Sequence, residues 1–221
     1  MRVTAIIPVK HFAAAKRRLA DALGREARVA LAAAMLDDVL DAVVRSESIR
    51  RTIVVTGEPE AERAASEQGA EVVPDPHDAG HSEAASSGVA RALERGAECA
   101  VLLPGDCPLL DPRELDAALE RISTGRVGIV PDRHGSGTNA LLLAPPGSIE
   151  PAFGEGSRRR HEALARAAGL MVSLERLPSL ALDVDTPADV EAVDAALRPA
   201  PERAPRTAAV LREIGAARNL T

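Results

Sequence analysis

The sequence has few of the residues that would support a disulfide-linked, zinc-binding or nucleic-acid-binding protein. Its two cysteines, Cys99 and Cys107, have no second pair, so we expect free thiols and neither a disulfide framework nor a zinc site. Tryptophan and tyrosine are absent, so the core must be built mainly from Ala, Val, Leu and Ile. The net charge of −6 leaves no large basic face for nucleic acid or an anionic membrane.

Long apolar runs are also missing. No segment approaches the roughly 20 apolar residues that a membrane helix requires, and the N-terminal run is too short for a signal peptide. We therefore expect a soluble cytoplasmic protein. With 221 residues, of which 46% are hydrophobic, the chain is long enough for one α/β domain with a full core.

Short apolar runs alternate with helical patterns along the first two thirds of the chain. This alternation predicts a mostly parallel sheet with helices on both faces. In such a sheet, ligands bind at the carboxyl ends of the strands. Strands are predicted at residues 4–9, 52–56, 71–73, 100–103, 127–130 and 141–143, and helices at residues 26–45, 58–68, 83–94 and 113–122.

The last third of the sequence is less regular. A helix is expected to begin within FGEGSRRRHEALARAAG, and LALDVDTPADV is expected to pass from a strand into a helix through Thr186-Pro187. We assign residues 1–197 to one domain and residues 198–221 to a proline-rich linker followed by a C-terminal helix at 207–218. This tail is a candidate for packing on a partner subunit, so a homodimer is an open alternative.

Both lysines of the chain lie in the loop after the first predicted strand. The loop contains Lys10, Lys16, Arg17 and Arg18, whereas all other basic residues of the chain are arginines. A compact ammonium group can reach phosphate oxygens as a point charge, so we interpret this loop as a phosphate-binding loop. The alternative is that arginine has replaced lysine elsewhere by compositional drift and these two lysines have no special role.

Two acidic motifs are candidates for a metal site. Asp106 in VLLPGDCPLL follows a buried strand, where a carboxylate needs a cation and suits Mg²⁺. Its alternative role is to cap the next helix, for which Asp111 is better placed. In LDVDTPAD, Asp183 and Asp185 fall on one face if the segment is extended, although Asp185 could instead be part of a helix cap.

Two glycine-containing segments, HGSGT and FGEGSRRRH, are candidate anion sites. The second places Gly154, Gly156 and Ser157 before Arg158–Arg160 at the predicted start of a helix, where free N–H groups favour an anion. The alternative is a flexible loop with a solvated basic helix start. His81 and His161 are expected to be surface or capping residues.

The motifs for two common nucleotide chemistries are missing. The first strand is followed by neither G-x-G-x-x-G nor G-x-x-x-x-G-K-[ST], which disfavours dinucleotide-dependent redox chemistry and P-loop hydrolysis. The lysine loop and the acidic motifs leave metal-dependent phosphate chemistry as the favoured class.

Several motifs, in this order, resemble the 2-phospho-L-lactate guanylyltransferase family, which includes phosphoenolpyruvate guanylyltransferases and acts in coenzyme F420 biosynthesis. They are PVKHFAAAKRRLA, GHSEAASSG, LLPGDCPLL, GTNALLL, FGEGSRRRH and ALDVDTPADV. The resemblance covers residues 1–197 and implies a Rossmann-like nucleotidyltransferase fold. VKHFAAAKRRL stands where the wider superfamily carries a glycine-rich loop, which favours this family over sugar-nucleotide enzymes.

The resemblance also implies roles for individual residues. Lys10, Lys16 and Arg18 would hold the triphosphate of GTP, with Lys10, Lys16 and Asp106 as the catalytic set. Ser82 stands where the family pattern G-L-N-A-A-L has Asn. The remaining implied roles are Gly80 and Ser82 near the base, Asp106 and Asp185 as Mg²⁺ ligands with Asp183 as a further ligand, and Thr138, Gly154 and Ser157 at the acceptor.

The implied reaction moves GMP from GTP to the phosphate of phosphoenolpyruvate or 2-phospho-L-lactate and releases pyrophosphate. The alanine- and arginine-rich composition is closest to that of actinobacterial members, which favours phosphoenolpyruvate. Two alternatives stay open. One is a cytidylyl- or molybdopterin-type nucleotidyltransferase, and the other is a nucleotide-sensing module without catalytic activity.

Overall fold

The computed structural model describes residues 1–13, 16–75, 77–78 and 80–218, with only the backbone given at 17 and 217–218. The strands are β1 (Val3–Val9), β2 (Ile49–Thr56), β3 (Glu71–Pro74), β4 (Cys99–Leu102), β5 (Arg126–Pro131), β6 (Thr138–Ala144) and β7 (Met171–Leu174). The helices are α1 (Arg25–Val44), α2 (Pro59–Glu67), α3 (His81–Glu94), α4 (Pro112–Arg121), α5 (Ser157–Ala167), α6 (Pro187–Leu197) and α7 (Pro205–Arg218). Single turns of 3-10 helix lie at Arg17–Leu19, Pro178–Leu180 and Pro201–Arg203.

The seven strands form one sheet in the order β3-β2-β1-β4-β6-β5-β7. The pairs β1/β2, β1/β4, β2/β3 and β5/β7 are parallel, and β6 is antiparallel to both β4 and β5. The predicted mostly parallel sheet is therefore confirmed, with β6 as the reversed strand. Because β6 is reversed, its first residues lie at the same edge of the sheet as the carboxyl ends of its neighbours.

The core lies on both faces of the sheet, as predicted. Ile6 and Ile7 of β1 are both fully buried and point to opposite faces, since side chains alternate along a strand. Ile7 packs in a cluster with Leu36 of α1, whereas Ile6 packs in a cluster with Val89 of α3. At Gly88 of α3 an added Cβ would lie 2.3 Å from a methyl carbon of Ile6. The small residue at Gly88 therefore allows α3 to approach the sheet closely.

The two cysteines are buried free thiols, as predicted. Burial raises the pKa of both Cys99 and Cys107, so neither is a thiolate near neutral pH. Because a thiolate is the nucleophilic form, this disfavours cysteine-based catalysis. Among the described residues, every helix is too short or too polar to cross a bilayer.

The strand predicted within LALDV is wrong. Residues 182–185 form an irregular segment instead, in which the buried Val184 donates its backbone N–H to the carbonyl of Asp106 over 3.2 Å. This segment is therefore held by the loop that follows β4, and it does not pair with a strand of the sheet. The last strand is β7, which lies at the edge of the sheet. Its apolar residues Met171 and Leu174 are exposed, so its apolar residues do not mark buried positions as they do in β1 or β4.

The predicted C-terminal helix is confirmed and begins at Pro205. It packs within the chain, because Ala208 and Leu211 are buried in a cluster that includes Leu31 and Met35 of α1. The carboxylate of Asp38 on α1 accepts hydrogen bonds from the backbone N–H groups of residues 206 and 207, at 3.3 and 2.8 Å. A homodimer and the domain boundary at residue 197 stay predictions.

Asp38 caps the first turn of α7 from another helix, so its loss should detach the tail. We expect Asp38→Ala to lower the free energy of unfolding by about 1–3 kcal/mol, because two N–H groups lose their buried partner. Asp37→Ala is the matched control, since Asp37 contacts Arg206 at 3.7 Å from a more exposed position and should change stability by less than about 0.5 kcal/mol. Urea unfolding followed by circular dichroism measures both. Equal losses in the two variants would contradict the capping role.

Candidate active site

A cavity of about 480 Å³ opens at the carboxyl edge of β1 and β4. Pro8 and Val9 from the end of β1 line it together with Pro104 and Gly105, which follow β4. This is the edge at which ligands bind in parallel sheets. Five charged residues predicted to act at the site also line the cavity, namely Lys10, Lys16, Arg18, Asp106 and Asp185.

Lys16 bridges the two carboxylates of this cavity. Its Nζ donates hydrogen bonds to Asp106 Oδ2 and, over 3.0 Å, to Asp185 Oδ1. The lysine side chain is only 7% exposed. Burial alone would lower the pKa of Lys16, but the charges of Asp106 and Asp185 outweigh burial and raise the pKa above its usual value. Lys16 is therefore a stable ammonium ion between two carboxylates.

Described residues on either side of Lys16 along the chain make defined contacts. Phe12 is buried, and its backbone N–H donates to Glu58 Oε2 over 2.9 Å. Leu19 is fully buried, and its N–H donates to the carbonyl of Lys16 over 2.9 Å. Lys16 itself has φ of 57°, a left-handed conformation that is uncommon for a residue other than glycine. The surrounding contacts thus impose a backbone conformation that directs the ammonium group to the carboxylates.

Neither Asp106 nor Asp185 serves as a helix cap, so the alternative roles considered for them are wrong. Asp111 caps α4 by accepting from the N–H of Arg113 over 2.9 Å. At α6, Thr186 is the N-cap and Asp189 completes a capping box. One oxygen of Asp189 also accepts from the N–H of Asp185 at 3.0 Å. This contact fixes the backbone of Asp185 and leaves its side chain directed to Lys16.

The carboxylates of Asp106 and Asp185 fit a divalent cation, because both direct an oxygen to a single position that the Lys16 ammonium holds. Hard oxygen donors of this kind suit Mg²⁺. Within residues 1–13, 16–75, 77–78 and 80–218, no group of three or more His, Cys, Asp or Glu side chains converges as a metal site would require. The Asp106–Asp185 pair is therefore the candidate metal site.

Asp183 lies close to this pair but belongs to a separate contact. Burial raises its pKa, and so do the negative charges of Asp106 and Asp185, whereas a hydrogen bond with Asn139 lowers it. Asn139 also donates from Nδ2 to the carbonyl of Leu180 over 2.6 Å. Asn139, to which the sequence motifs assign no role, is thus fixed by the Leu180 carbonyl and lies beside Asp183. Asp183 as a further metal ligand stays a prediction.

A bulge at the start of β6 determines where Thr138 and Asn139 point. Val130 of β5 lies opposite Ala140, but Pro131 lies opposite Thr138, so Asn139 is an extra residue. Such a bulge changes the direction of the neighbouring side chains. As a result Thr138 faces α5 and Asn139 faces the Asp183 segment.

The predicted acceptor residues form a second group around His161. The side chain of Thr138 is hydrogen-bonded to His161 Nδ1 at 3.0 Å, and the N–H of Ala152 donates to His161 Nε2 at 2.9 Å. His161 is fully buried, so its prediction as a surface or capping residue is wrong. The helical spacing of His161 from the start of α5 was the signal that could have placed it on the inner face.

The glycines of this group shape the loop that precedes α5. Gly154 has φ of 104° and Gly156, the N-cap of α5, has φ of 69°, conformations that favour glycine. Ser157 is the first residue of the helix and is buried. The guanidinium of Arg160 donates to the carbonyls of Ala152 and Phe153 at 3.1 and 3.0 Å. Arg160 therefore holds the loop together and is not the freely solvated charge that the alternative reading assumed.

Residues at the start of α3 connect the two groups. Ser82 Oγ accepts from the N–H of Phe153 over 3.0 Å, and the His81 ring meets the Phe153 ring edge-on with centroids 4.7 Å apart. His81 lines the cavity, and burial lowers its pKa. Gly80 is the N-cap of α3. Gly80 and Ser82 as base-binding residues stay predictions, and His81 is a cavity residue that sequence reasoning missed.

Comparison with known proteins adds a family match to this geometry. Residues 3–194 match the family described as guanylyl transferase, CofC like. The phosphoenolpyruvate guanylyltransferase of Conexibacter woesei is 49% identical over 195 residues, covering 87% of this chain and 87% of that protein. The 3-phospho-D-glycerate guanylyltransferase of Phenylobacterium zucineum is 38% identical over 213 residues, covering 95% of each chain.

The fold itself matches solved structures. A nucleotidyl transferase from Methanothermobacter has a TM-score of 0.69 and 18% identity, with 90% of this chain and 99% of that chain covered. Sequence identity is low, so this likeness bears on the fold alone. It confirms the Rossmann-like nucleotidyltransferase fold.

The position of Lys16 leads to a prediction for metal binding. We expect Lys16→Met to bind Mn²⁺, in nucleotide-free solution, at least about tenfold more tightly than the wild type, which is about 1.4 kcal/mol. The reason is that the ammonium group competes for the two carboxylates that the metal would use. Titration followed by electron paramagnetic resonance of free Mn²⁺ measures the affinity.

Lys10→Met is the matched control, because it removes the same charge from the same cavity without touching either carboxylate. It should change the Mn²⁺ affinity by less than about threefold, through long-range charge alone. The double variant Lys16→Met/Asp106→Asn should not show the tighter Mn²⁺ binding expected of Lys16→Met, because it lacks one of the two carboxylates. If Lys10→Met and Lys16→Met tighten binding equally, charge removal explains the effect and direct competition does not.

Proposed function

The chain belongs to the family of CofC-like guanylyl transferases, and we propose that it moves GMP from GTP to the phosphate of phosphoenolpyruvate in coenzyme F420 biosynthesis. The observation that supports this proposal best is the Lys16 bridge. Two carboxylates and an ammonium group from three separate loops converge at the mouth of one cavity. Phosphoryl-transfer chemistry needs both signs of charge at one place, since a metal must be held and phosphates must be neutralised.

The cationic residues of the cavity are assigned to the triphosphate. Lys10 and Arg18 have exposed side chains at the cavity, where they can meet phosphate oxygens without breaking an internal contact. Lys16 Nζ holds the position between Asp106 and Asp185 at which the metal is expected, so a bound metal would displace the ammonium group, which is then assigned to the neighbouring phosphates. Together the three cations offset the repulsion between the anionic nucleotide and an anionic acceptor.

Asp106 and Asp185 are assigned as ligands of Mg²⁺. When bound, the metal supplies charge neutralisation and orientation at the transferred phosphate. The backbone of Asp185 is fixed by Asp189, and the carbonyl of Asp106 accepts from Val184. The two carboxylates are thus held by neighbouring backbone contacts, and their geometry does not depend on side-chain packing alone.

The reaction requires no general base. A phosphate oxygen of the acceptor is already an anionic nucleophile near neutral pH and attacks the α-phosphorus of GTP. The bond from that phosphorus to the bridging oxygen breaks, pyrophosphate leaves with the electron pair, and a mixed diphosphate remains. What the protein must provide is alignment and charge neutralisation. Burial lowers the pKa of both His81 and His161, which suits neutral roles for these two rings.

The acceptor is assigned to the group around Thr138, Gly154 and Ser157. Short hydroxyls and backbone N–H groups near a helix start suit a small molecule with two anionic groups better than a sugar ring. Relatives with similar coverage are named for phosphoenolpyruvate and for 3-phospho-D-glycerate. We favour phosphoenolpyruvate because the relative with the higher identity is named for it, and 2-phospho-L-lactate is the second candidate.

Two variants test the metal ligands. We expect Asp106→Asn and Asp185→Asn each to lower turnover by more than about tenfold, at least about 1.4 kcal/mol in barrier, because each removes one charged ligand. Pyrophosphate release is the measurement, with circular dichroism to verify the fold. Asp21→Asn is the control, because Asp21 is an exposed carboxylate that is not among the residues lining the cavity, and it should stay within about twofold. Turnover at the wild-type level in either site variant removes that residue from the metal site.

A substrate panel tests the reaction itself. Pyrophosphate release is measured with GTP, ATP, CTP and UTP, each paired with phosphoenolpyruvate, 2-phospho-L-lactate and 3-phospho-D-glycerate. We expect the highest kcat/KM for GTP with phosphoenolpyruvate, and cross-reactivity with 2-phospho-L-lactate within about 200-fold, because near-isosteres differ by only 1–3 kcal/mol in a pocket. A preference for CTP would favour the cytidylyl-type alternative. Nucleotide binding without turnover of any pair would favour the sensing module.

A further inference from the structure

His161 connects the strand and the loop that carry the proposed acceptor residues. It lies on α5, is fully buried, and touches Thr138 of β6 through Nδ1 and the backbone of Ala152 through Nε2. The Phe153 ring also meets the His161 ring edge-on, with centroids 5.3 Å apart. A buried imidazole held on three sides has a fixed orientation, so its two nitrogen atoms have fixed roles.

The contacts determine which nitrogen of His161 carries hydrogen. A backbone N–H can only donate, so Nε2 must accept from Ala152 and carries no hydrogen. Burial, with a smaller contribution from Arg160, lowers the pKa of His161 to about 4, so the ring is neutral near pH 7. A neutral imidazole has one N–H. That hydrogen is therefore on Nδ1, which donates to Thr138 Oγ1 over 3.0 Å.

With hydrogen on Nδ1, the Thr138 hydroxyl must act as the acceptor in its hydrogen bond with His161. The oxygen accepts from Nδ1–H, and the hydroxyl proton is free to be donated elsewhere, because a hydroxyl is both a donor and an acceptor. Thr138 is half-buried at the edge of the sheet, where the bulge at Asn139 turns it toward α5. A hydroxyl in this position is a donor directed by its neighbour.

We propose that His161 is a positioning residue: through Nδ1–H it fixes the Thr138 hydroxyl as a hydrogen-bond donor to an anionic oxygen of the acceptor substrate. The inference rests on the proposed function, since it takes Thr138 as an acceptor-binding residue. It assigns His161 no proton transfer in the reaction. The role is to align a donor before the acceptor binds, which lowers the entropic cost of binding.

Two amide substitutions separate the two contacts of His161. In His161→Asn the side-chain nitrogen lies near the position of Nδ1 and can still donate to Thr138, but it cannot reach Ala152. In His161→Gln the amide oxygen reaches the position of Nε2 and accepts from Ala152, but nothing donates to Thr138. A role in packing alone predicts similar kinetic effects for the two variants, whereas the positioning role predicts different ones.

We expect His161→Gln to raise the KM of the acceptor at least about tenfold and to leave the KM of GTP within about twofold. His161→Asn should stay within about threefold for both substrates, even where its melting temperature is lower. Equal rises in the two KM values for His161→Gln, or a larger acceptor effect in His161→Asn than in His161→Gln, would overturn the proposal.

A double-mutant cycle tests whether His161 acts through the hydroxyl. Thr138→Val removes the hydroxyl with little change in shape and should raise the acceptor KM, whereas Thr138→Ser should retain the wild-type value within about threefold. In the Thr138→Val background, His161→Gln should have no further effect on that KM, because coupled residues are not additive. Full additivity would overturn the proposal.

The tautomer can be measured without any substrate. Long-range ¹H–¹⁵N correlation spectra of the histidine rings, assigned with His161→Asn, should identify His161 as a neutral ring with hydrogen on Nδ1. Hydrogen on Nε2 would overturn the proposal whatever the activity. If the tautomer is as expected but no acid of the panel is turned over, the proposed function fails. If the acids are turned over and Thr138→Val binds them normally, His161 is structural and the positioning role is wrong.

Discussion

The ammonium group of Lys16 joins three loops that are distant in the sequence. Its partners, Asp106 and Asp185, lie 90 and 169 residues after it. Two carboxylates brought together in a partly buried place repel each other, and the arrangement is costly unless a cation lies between them. Replacing a buried ion pair by apolar residues of similar size often leaves the stability of a protein unchanged or raises it. The Lys16 bridge lies at the carboxyl edge of the sheet and requires a left-handed backbone conformation at Lys16. A role in binding or catalysis therefore explains it better than a contribution to folding stability does.

The reversed strand β6 allows the two proposed binding groups to share one edge of the sheet. Because β6 is antiparallel to β4, with Leu141 opposite Leu102, its first residues lie beside the loop in which Asp106 follows β4. The bulge at Asn139 then divides the roles of two adjacent residues. Asn139 turns toward the Leu180 carbonyl and Asp183, beside the proposed metal ligands, and Thr138 turns toward His161, in the proposed acceptor group. One extra residue thus serves both halves of the site.

The parts of the fold that depend on local pattern could be predicted from the sequence. Buried strands such as β1 and β4 are continuous apolar runs, and Asp106 and Lys10 follow directly from where those runs end. The rest depends on contacts between distant residues. The irregular path of 182–185 is set by Val184 bonding to the loop of Asp106, and the burial of His161 is set by partners on β6 and before α5. The helical spacing of His161 indicates only which face of α5 it lies on, and no local pattern identifies its partners.

The direction of the hydrogen bonds around Thr138 bears on which acid can bind there as the substrate. If Thr138 is a fixed donor, it suits a group that offers acceptor oxygens only. Phosphoenolpyruvate and 2-phospho-L-lactate present a carboxylate and a phosphate, whereas 3-phospho-D-glycerate carries a free hydroxyl in addition. That hydroxyl needs a hydrogen-bond partner of its own when buried, and leaving it unpaired costs about 1–3 kcal/mol. An added hydroxyl is therefore rejected modestly, to about the same extent as a change of shape. The polarity set by His161 therefore favours an acceptor without a free hydroxyl.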